Sequence, residues 1–382
     1  MTRTTARLLA AAATLMTWGA HAQSQEGPSC GGIADDTQRL ACYDAWAASR
    51  SQAVAPATIA APELSTPAPP VSPTFPPPVL QAAAAESPGL RLTDLEGCHD
   101  VRYSELSRFW ELEPGADCGT FGLRVFHPMS ADVVHANNVN REPTSGNPLN
   151  DASTSQDFRT TEVRLQLSVR TKLAQGLLLR NHPDETDSLW FAYTQQSYWQ
   201  LFSPSLSRPF RSTDHEPEFI YVLPLQAADP GQWRVRFGGL GIVHQSNGQS
   251  LPLSRSWNRV YLMAGAEKGR LQVQARVWQR LHENPATDDN PDISDFIGRA
   301  EARVVWHQDR KNLFAVTGRN ALHGNGRGSV RLEWFRTLAD DSAGTPGGLQ
   351  LHTQLFTGYG DTLLDFNRRR TVFSIGLSLV DW

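Results

Sequence analysis

Long apolar runs, net charge and thiols are all scarce in this sequence. Beyond its first turns the 382-residue chain has no run of eighteen apolar residues, which excludes a helical membrane protein, since a spanning helix needs about 20 in succession. A membrane β-barrel is not excluded, because alternating apolar and polar residues keep its mean hydropathy low. The net charge is only −4, which argues against a nucleic-acid surface. Cysteine is confined to Cys30, Cys42, Cys98 and Cys118, with no tight C-x-x-C pair, so a zinc site is not expected. By its length the chain could hold two average domains or one large barrel.

Residues 1–22 read as a secretory signal: Arg3 and Arg7, an apolar centre at residues 8–16, then Ala20-His21-Ala22 as a cleavage site. That centre is too short to span a bilayer. The mature chain is therefore expected to be exported, and four cysteines in an oxidising periplasm suggest disulfides. Local pairing, Cys30 with Cys42 and Cys98 with Cys118, is the simplest of three connectivities, and sequence does not choose among them. Residues 23–53 form a small segment with Leu40, Tyr43 and Trp46 at helical spacing, dependent on its staple. Residues 54–88, rich in Pro, Ala and Ser, cannot bury enough apolar surface to offset their ordering entropy and read as an extended or disordered linker. Such an arm could reach a periplasmic partner or serve only as a tether. Residues 89–130 carry the second cysteine pair around R-F-W-E-L and lead into residues 131–382.

From residue 131 the pattern becomes period two. Val163, Leu165, Leu167 and Val169 alternate with polar residues, and the same holds for Phe219 to Leu225, Leu271 to Val277 and Phe373 to Leu379. Arg164, Arg170, Arg259, Arg276, Arg299 and Arg303 occupy the opposite faces, which in a membrane barrel line the lumen. Trp199, Trp233 and Trp278 near strand ends are expected to form interfacial girdles. Eleven clear strands and a weak one at residues 131–139 predict an all-β fold, a closed antiparallel transmembrane barrel.

Chemistry concentrates at residues 241–262, G-I-V-H-Q-S-N-G-Q-S-L-P-L-S-R-S-W-N-R-V-Y-L. Two strands joined by a loop put His244 and Ser246 on one face, with Asn258 arriving from the antiparallel neighbour. A hydroxyl, an imidazole and an amide so placed have the parts of a nucleophile, a general base and a group that fixes the base's tautomer. One conflict of parity remains. Trp233, Val235 and Phe237 look outward at odd positions, whereas Ile242, His244 and Ser246 do so at even ones. An extra residue near Gly238-Gly239 would switch the face, so a β-bulge is predicted there, with the catalytic pair on the outer wall. Asn258 shares its face with Val260 and Leu262, and hydrogen bonding to His244 removes the cost of an unpartnered amide against lipid.

The run H-Q-S-N-G-Q-S-L-P-L-S-R-S-W-N-R resembles the active-site hairpin of the outer membrane phospholipase A family. W-F-A-Y-T-Q-Q-S-Y-W-Q-L at residues 190–201, R-P-F-R-S-T-D-H-E-P-E at 208–218 and T-D-D-N-P-D-I at 287–293 agree with it in order, and the resemblance runs from about residue 137 to the C-terminus. It implies twelve strands, a terminal aromatic such as Trp382, and a calcium-dependent phospholipase activated by dimerisation. It also implies Ser246 as nucleophile, His244 as base and Asn258 as its orienting partner. Calcium would be held by the Ser254 hydroxyl and the Gln249 carbonyl of one subunit and the Ser207 carbonyl of the other, an oxygen set that suits this cation. Leu251 stands where the family has an acidic residue serving a second calcium site with Asp289, so T-D-D-N-P-D-I reads here as an acidic surface loop. Gln195, on the apolar face of Leu189, Phe191 and Tyr193, would pair with its copy across a dimer axis.

Two function classes follow. One is a phospholipase A1/A2 and lysophospholipase of a Gram-negative outer membrane, with its N-terminal region in the periplasm and phospholipid as substrate. The other is a non-catalytic channel or assembly barrel whose arm recruits a periplasmic partner, its arginine-lined lumen suiting anion passage. The matching residues favour the first, since a channel needs none of them.

Overall fold

The computed structural model of the protein describes residues 30, 33, 35–52, 102–180, 182, 185–225, 232–323, 327–338 and 348–380. The expected signal at residues 1–22, the linker at 54–88, Cys98 and Trp382 lie outside the described residues. Two compact units divide the chain at residues 83 and 84. In the first, α1 (Asp36–Gln52) begins where the Asp35 carboxylate accepts from the Gln38 amide at 2.9 Å, an N-cap bond, and a Cys30–Cys42 disulfide staples the segment. Cys118, in the second unit, is also disulfide-bonded.

The second unit is a closed antiparallel barrel. Its strands are β2 (Met129–Ala136), β3 (Thr161–Gln175), β4 (Ser188–Trp199), β5 (Phe210–Pro224), β6 (Arg234–Ser246), β7 (Ser256–Lys268), β8 (Leu271–Arg280), β9 (Ala300–His307), β10 (Asn312–Asn320), β11 (Gly328–Thr337), β12 (Gly348–Gly358) and β13 (Arg370–Val380). Each pairs with its sequence neighbour, and β13 pairs with β2, so these twelve strands close on themselves. The short β1 (Leu123–Val125) extends the β2 side of the β3 ladder. The weak strand expected at residues 131–139 is β2.

Alternation decides which side chain goes where. Along β13, Phe373, Ile375, Leu377 and Leu379 are 45–49% exposed, whereas Val372 and Ser374 are fully buried. Exposed apolar residues recur on neighbouring strands as Val133, Leu355, Leu332 and Val316, a continuous band that water would disfavour and hydrocarbon accepts. The inner face is charged but paired: Arg164 with Asp132 at 2.7 Å, Arg211 with Glu162 at 2.7 Å, and Arg303 with Glu333 at 2.6 Å. These lumen arginines are thus found inside, each beside a carboxylate that offsets the cost of burial.

The segment whose place sequence left open fills one end of that lumen. Helix α2 (Glu105–Trp110), capped by the Ser104 hydroxyl, inserts Leu106 and Trp110 among Trp190, Ile220, Val222 and Phe237, inward-facing residues of β4, β5 and β6. Trp110 stacks edge-on against Trp190 at 5.9 Å between centroids. Glu111 binds Lys172 at 2.6 Å, and Arg236 of β6 binds Glu113 and Ser107. R-F-W-E-L is an amphipathic cork.

No bulge lies at Gly238-Gly239 as expected; the face switches two residues earlier. The β6–β7 register shifts between Val235 and Phe237, so Arg236 is the extra residue, and the ladder is regular through Phe237–Leu240. Trp233 and Val235 are exposed as expected, but Phe237 is fully buried, its ring lying over Gly265, where a Cβ would collide with it. From Phe237 onward the even positions Leu240 and Ile242 face outward, 55% and 48% exposed. Trp278 also departs from expectation. It points inward, its indole donating to the Gly298 carbonyl at 2.8 Å and packing beside Tyr261, so of the three expected residues Trp199 and Trp233 suit a girdle.

Candidate active site

The parity switch at Arg236 delivers His244 and Ser246 to the outer face at the end of β6. His244 lies directly opposite Asn258 on β7, and Ser246 opposite Ser256. Across the pair, His244 Nδ1 and Asn258 Oδ1 are 2.9 Å apart, while Ser246 stands two residues along the same strand, about 6.6 Å of rise away. The three residues named from sequence are brought to one face, with the imidazole exposed and Ser246 and Asn258 partly covered.

The hairpin beyond Ser246 is held by Asn247. Its side chain donates to the Leu253 carbonyl at 2.7 Å and accepts from the Arg255 amide at 2.9 Å. Gly248 has φ +62°, a left-handed turn that a side chain would strain. Arg255, fully buried, donates to the Pro252, Ser254 and Asn150 carbonyls and ties the hairpin to the β2–β3 loop. This fixes where the Ser254 hydroxyl and the Gln249 backbone stand.

T-D-D-N-P-D-I is not a free surface loop. Asp289 accepts from the Ser254 hydroxyl at 2.7 Å, from Ser256 at 3.3 Å and from Asn150 at 3.0 Å, and Asn290 receives the Ser256 amide. Sequence reasoning discounted Asp289 because Leu251 lacks a carboxylate; Leu251 is 58% exposed, and the Ser254–Asp289 contact forms without it. The donors gathered here, Ser254, Ser256, Asp289 and nearby backbone carbonyls, are all oxygens, a set that fits a hard divalent cation. Ser207 sits exposed in the β4–β5 loop with φ +59°, and among the described residues no hydrogen bond joins it to Ser254 or Gln249.

Gln195 lies on the outer face of β4 but is not isolated. Tyr193 donates to its oxygen at 3.1 Å, and its amide donates to Ser197 at 3.2 Å, leaving one amide hydrogen for another partner. Tyr193 also meets His215 Nδ1 at 2.7 Å, and His215 is the β5 residue opposite Ser246. Nothing in the spacing of the sequence pointed to His215.

A family model described as phospholipase A1 matches residues 106–379. A phospholipase A1 candidate of Neisseria meningitidis is 36% identical over 286 residues, covering 73% of this chain and 71% of the relative. The phospholipase A1 of Escherichia coli is 34% identical over 227 residues, covering 59% of this chain and 72% of the relative. Among solved structures, the outer membrane phospholipase A of E. coli superposes with TM-score 0.58 at 29% identity over 68% of this chain and 94% of that one. A calcium-bound dimer of the Salmonella typhi outer membrane phospholipase gives 0.59 at 30% identity over 69% and 94%. An active-site variant of the E. coli protein with an asparagine replaced by alanine gives 0.59 at 28% over the same shares. The barrel, the hairpin and these likenesses agree: this chain belongs to the phospholipase A1 family and is an outer-membrane phospholipase.

Proposed function

We propose that the protein hydrolyses acyl esters of glycerophospholipids at either position, and of lysophospholipids, with Ser246 as nucleophile, His244 as general base and Asn258 as its orienting partner. The observation that carries this reading is the 2.9 Å contact of His244 Nδ1 with Asn258 Oδ1 on the lipid-facing wall, beside Ser246. With Nδ1 held as a donor, Nε2 is free to take the Ser246 proton as Oγ attacks the ester carbonyl; the same nitrogen then protonates the leaving alkoxide, and a water repeats the cycle on the acyl-enzyme. An ester in a membrane lies where hydrocarbon meets headgroups. A wall-mounted nucleophile near the barrel rim reaches it there without extracting the lipid.

An asparagine partner leaves the imidazolium without a neighbouring full negative charge of its own, so the oxyanion needs support from elsewhere. Ser254, the Gln249 carbonyl and the partner subunit's Ser207 would hold calcium, and Asp289 joins them on the strength of its contact with Ser254. Bound there, the cation would supply positive charge toward the developing oxyanion. The calcium-bound dimer of the Salmonella relative and the active-site asparagine of the E. coli one support this assignment. Gln195, with one amide hydrogen still to place, would contribute to the dimer interface. We place the long-loop end outside the cell and the N-terminal region in the periplasm, after removal of residues 1–22, with residues 23–53 tethered by 54–88. The channel alternative loses support from the cork of α2 and the paired lumen charges.

Fatty-acid release from phospholipid micelles, with calcium and then with excess chelator, tests the reading. Release that stops on chelation and is lost in Asn258→Ala supports it, and chelator-resistant release by that variant sinks it.

A further inference from the structure

The Asn258 amide has a second partner. While its oxygen faces His244, its nitrogen donates to Glu283 Oε1 at 3.4 Å. Glu283 follows β8 by three residues, and its position is anchored. The Leu281 amide donates to the Asn258 carbonyl at 2.8 Å, continuing the β7–β8 ladder to Asn258 itself. The other Glu283 oxygen lies 3.5 Å from Arg280 Nη2, which binds Asp288 at 2.6 Å. Glu283 is one-fifth exposed, at 21% for its side chain, so the carboxylate is sheltered but not desolvated.

An ionised carboxylate only accepts hydrogen bonds, whereas an amide donates from one end and accepts at the other. A carboxylate beyond Asn258 therefore decides which end faces the imidazole. With the amino group held by Glu283, Oδ1 must face His244, and an acceptor there requires the proton on Nδ1. Nε2 is then free for the nucleophile's proton. A reversed amide would offer N–H to Nδ1 and favour the tautomer protonated on Nε2, which cannot act as base toward Ser246. An aspartate in place of Asn258 would need no such help, because both of its oxygens accept.

We propose that Glu283 is a positioning residue that sets the orientation of Asn258 and, through it, the tautomer of His244. This rests on the Ser246–His244–Asn258 reading and extends it to a relay of four residues. The negative end of the relay also polarises the amide toward the imidazolium that forms during reaction.

The test uses the folded full chain in detergent at saturating calcium, as a cycle of Glu283→Gln and Asn258→Asp. A glutamine can donate as well as accept, so it no longer fixes the amide. At metal-bound histidines, losing the partner that orients the ring costs about 10- to 100-fold in affinity or activity. A loss of that size is expected in kcat for E283Q, with KM and the half-saturating calcium unchanged. Placed on top of N258D, E283Q should no longer lower kcat and is expected to raise it, since an aspartate needs no orienting and its carboxylate would repel Glu283. Imidazole nitrogen resonances of His244 in micelles, assigned by their absence in His244→Ala, give a readout independent of turnover: protonated Nδ1 in the natural chain and a mixture of tautomers in E283Q. An unchanged tautomer in E283Q, an equal loss in both backgrounds, or a parallel rise in the calcium requirement would overturn the proposal. Wild-type turnover by His244→Ala would instead overturn the triad on which it rests.

Discussion

The Ser254 hydroxyl donates to the Asp289 carboxylate at 2.7 Å, joining the hairpin after β6 to the loop after β8. A serine and an aspartate so placed offer two oxygens to one cation. Asp289→Ala is therefore expected to raise the calcium concentration for half-maximal activity about tenfold or more, the change that about 1.4 kcal/mol of lost binding produces. Ser254→Ala should act in the same direction. Calcium titration of fatty-acid release checks both, and an unshifted curve in either variant would remove that residue from the site.

Beyond the bulge at Arg236, Phe237 and Leu240 stand three apart on a regular ladder and so face opposite ways. Phe237 is fully buried against the cork, whereas Leu240 faces lipid. Phe237→Ala should destabilise the barrel by about 3–5 kcal/mol, the range for a buried aromatic truncation, and Leu240→Ala by clearly less. Denaturant unfolding in micelles, followed by tryptophan fluorescence, would show whether the two losses differ in that order.

Much of this was legible beforehand, and the exceptions share a cause. Period-two alternation located the strands because one face meets lipid and the other a polar lumen, and H-x-S with a distant Asn located the hairpin on which His244 meets Asn258. Parity showed that β6 must switch faces, but not where, since a bulge depends on which ring can turn inward: Phe237 needs Gly265 across the ladder, a relation between strands that no linear pattern holds. Glu283 and His215 were missed for the same reason, and Asp289, named from the sequence, was discounted because its contact with Ser254 lies between two loops. Each reaches the site through a partner on another strand or loop. Trp278 was misplaced because an aromatic near a strand end reads alike on either face.

Acid should loosen the loop between β12 and β13. Burial alone would raise the Asp365 carboxyl, but Arg211 and Arg370 together hold it at about 2, below its unfolded value. A lowered carboxyl stabilises the fold fully above its unfolded value, near pH 4, and loses that contribution as pH falls through about 2. Limited proteolysis by an acid-stable protease should therefore cut this loop increasingly from pH 4 to pH 2. In Asp365→Asn that pH dependence should flatten; equal dependence in both proteins would show that Asp365 is not the group responsible.

Self-association should feel Gln195. Because Tyr193 and Ser197 already satisfy much of its amide, Gln195→Ala is expected to weaken dimerisation only moderately, by about 0.6 to 1.7 kcal/mol, the span measured for polar contacts between membrane segments. The activity loss should be greatest at low protein-to-detergent ratio, where dimers are fewest. Sedimentation and activity measured across that ratio would reveal it, and a loss independent of dilution would place Gln195 outside the interface.

The most direct measurement is fatty-acid release by Ser246→Ala, compared with the natural chain at saturating calcium, after heat-modified gel mobility confirms that both barrels are folded. Loss of a nucleophile is expected to lower turnover by about a thousandfold or more. Full activity in the folded variant would contradict the assignment of the outer-wall hairpin as the place where the ester is cleaved.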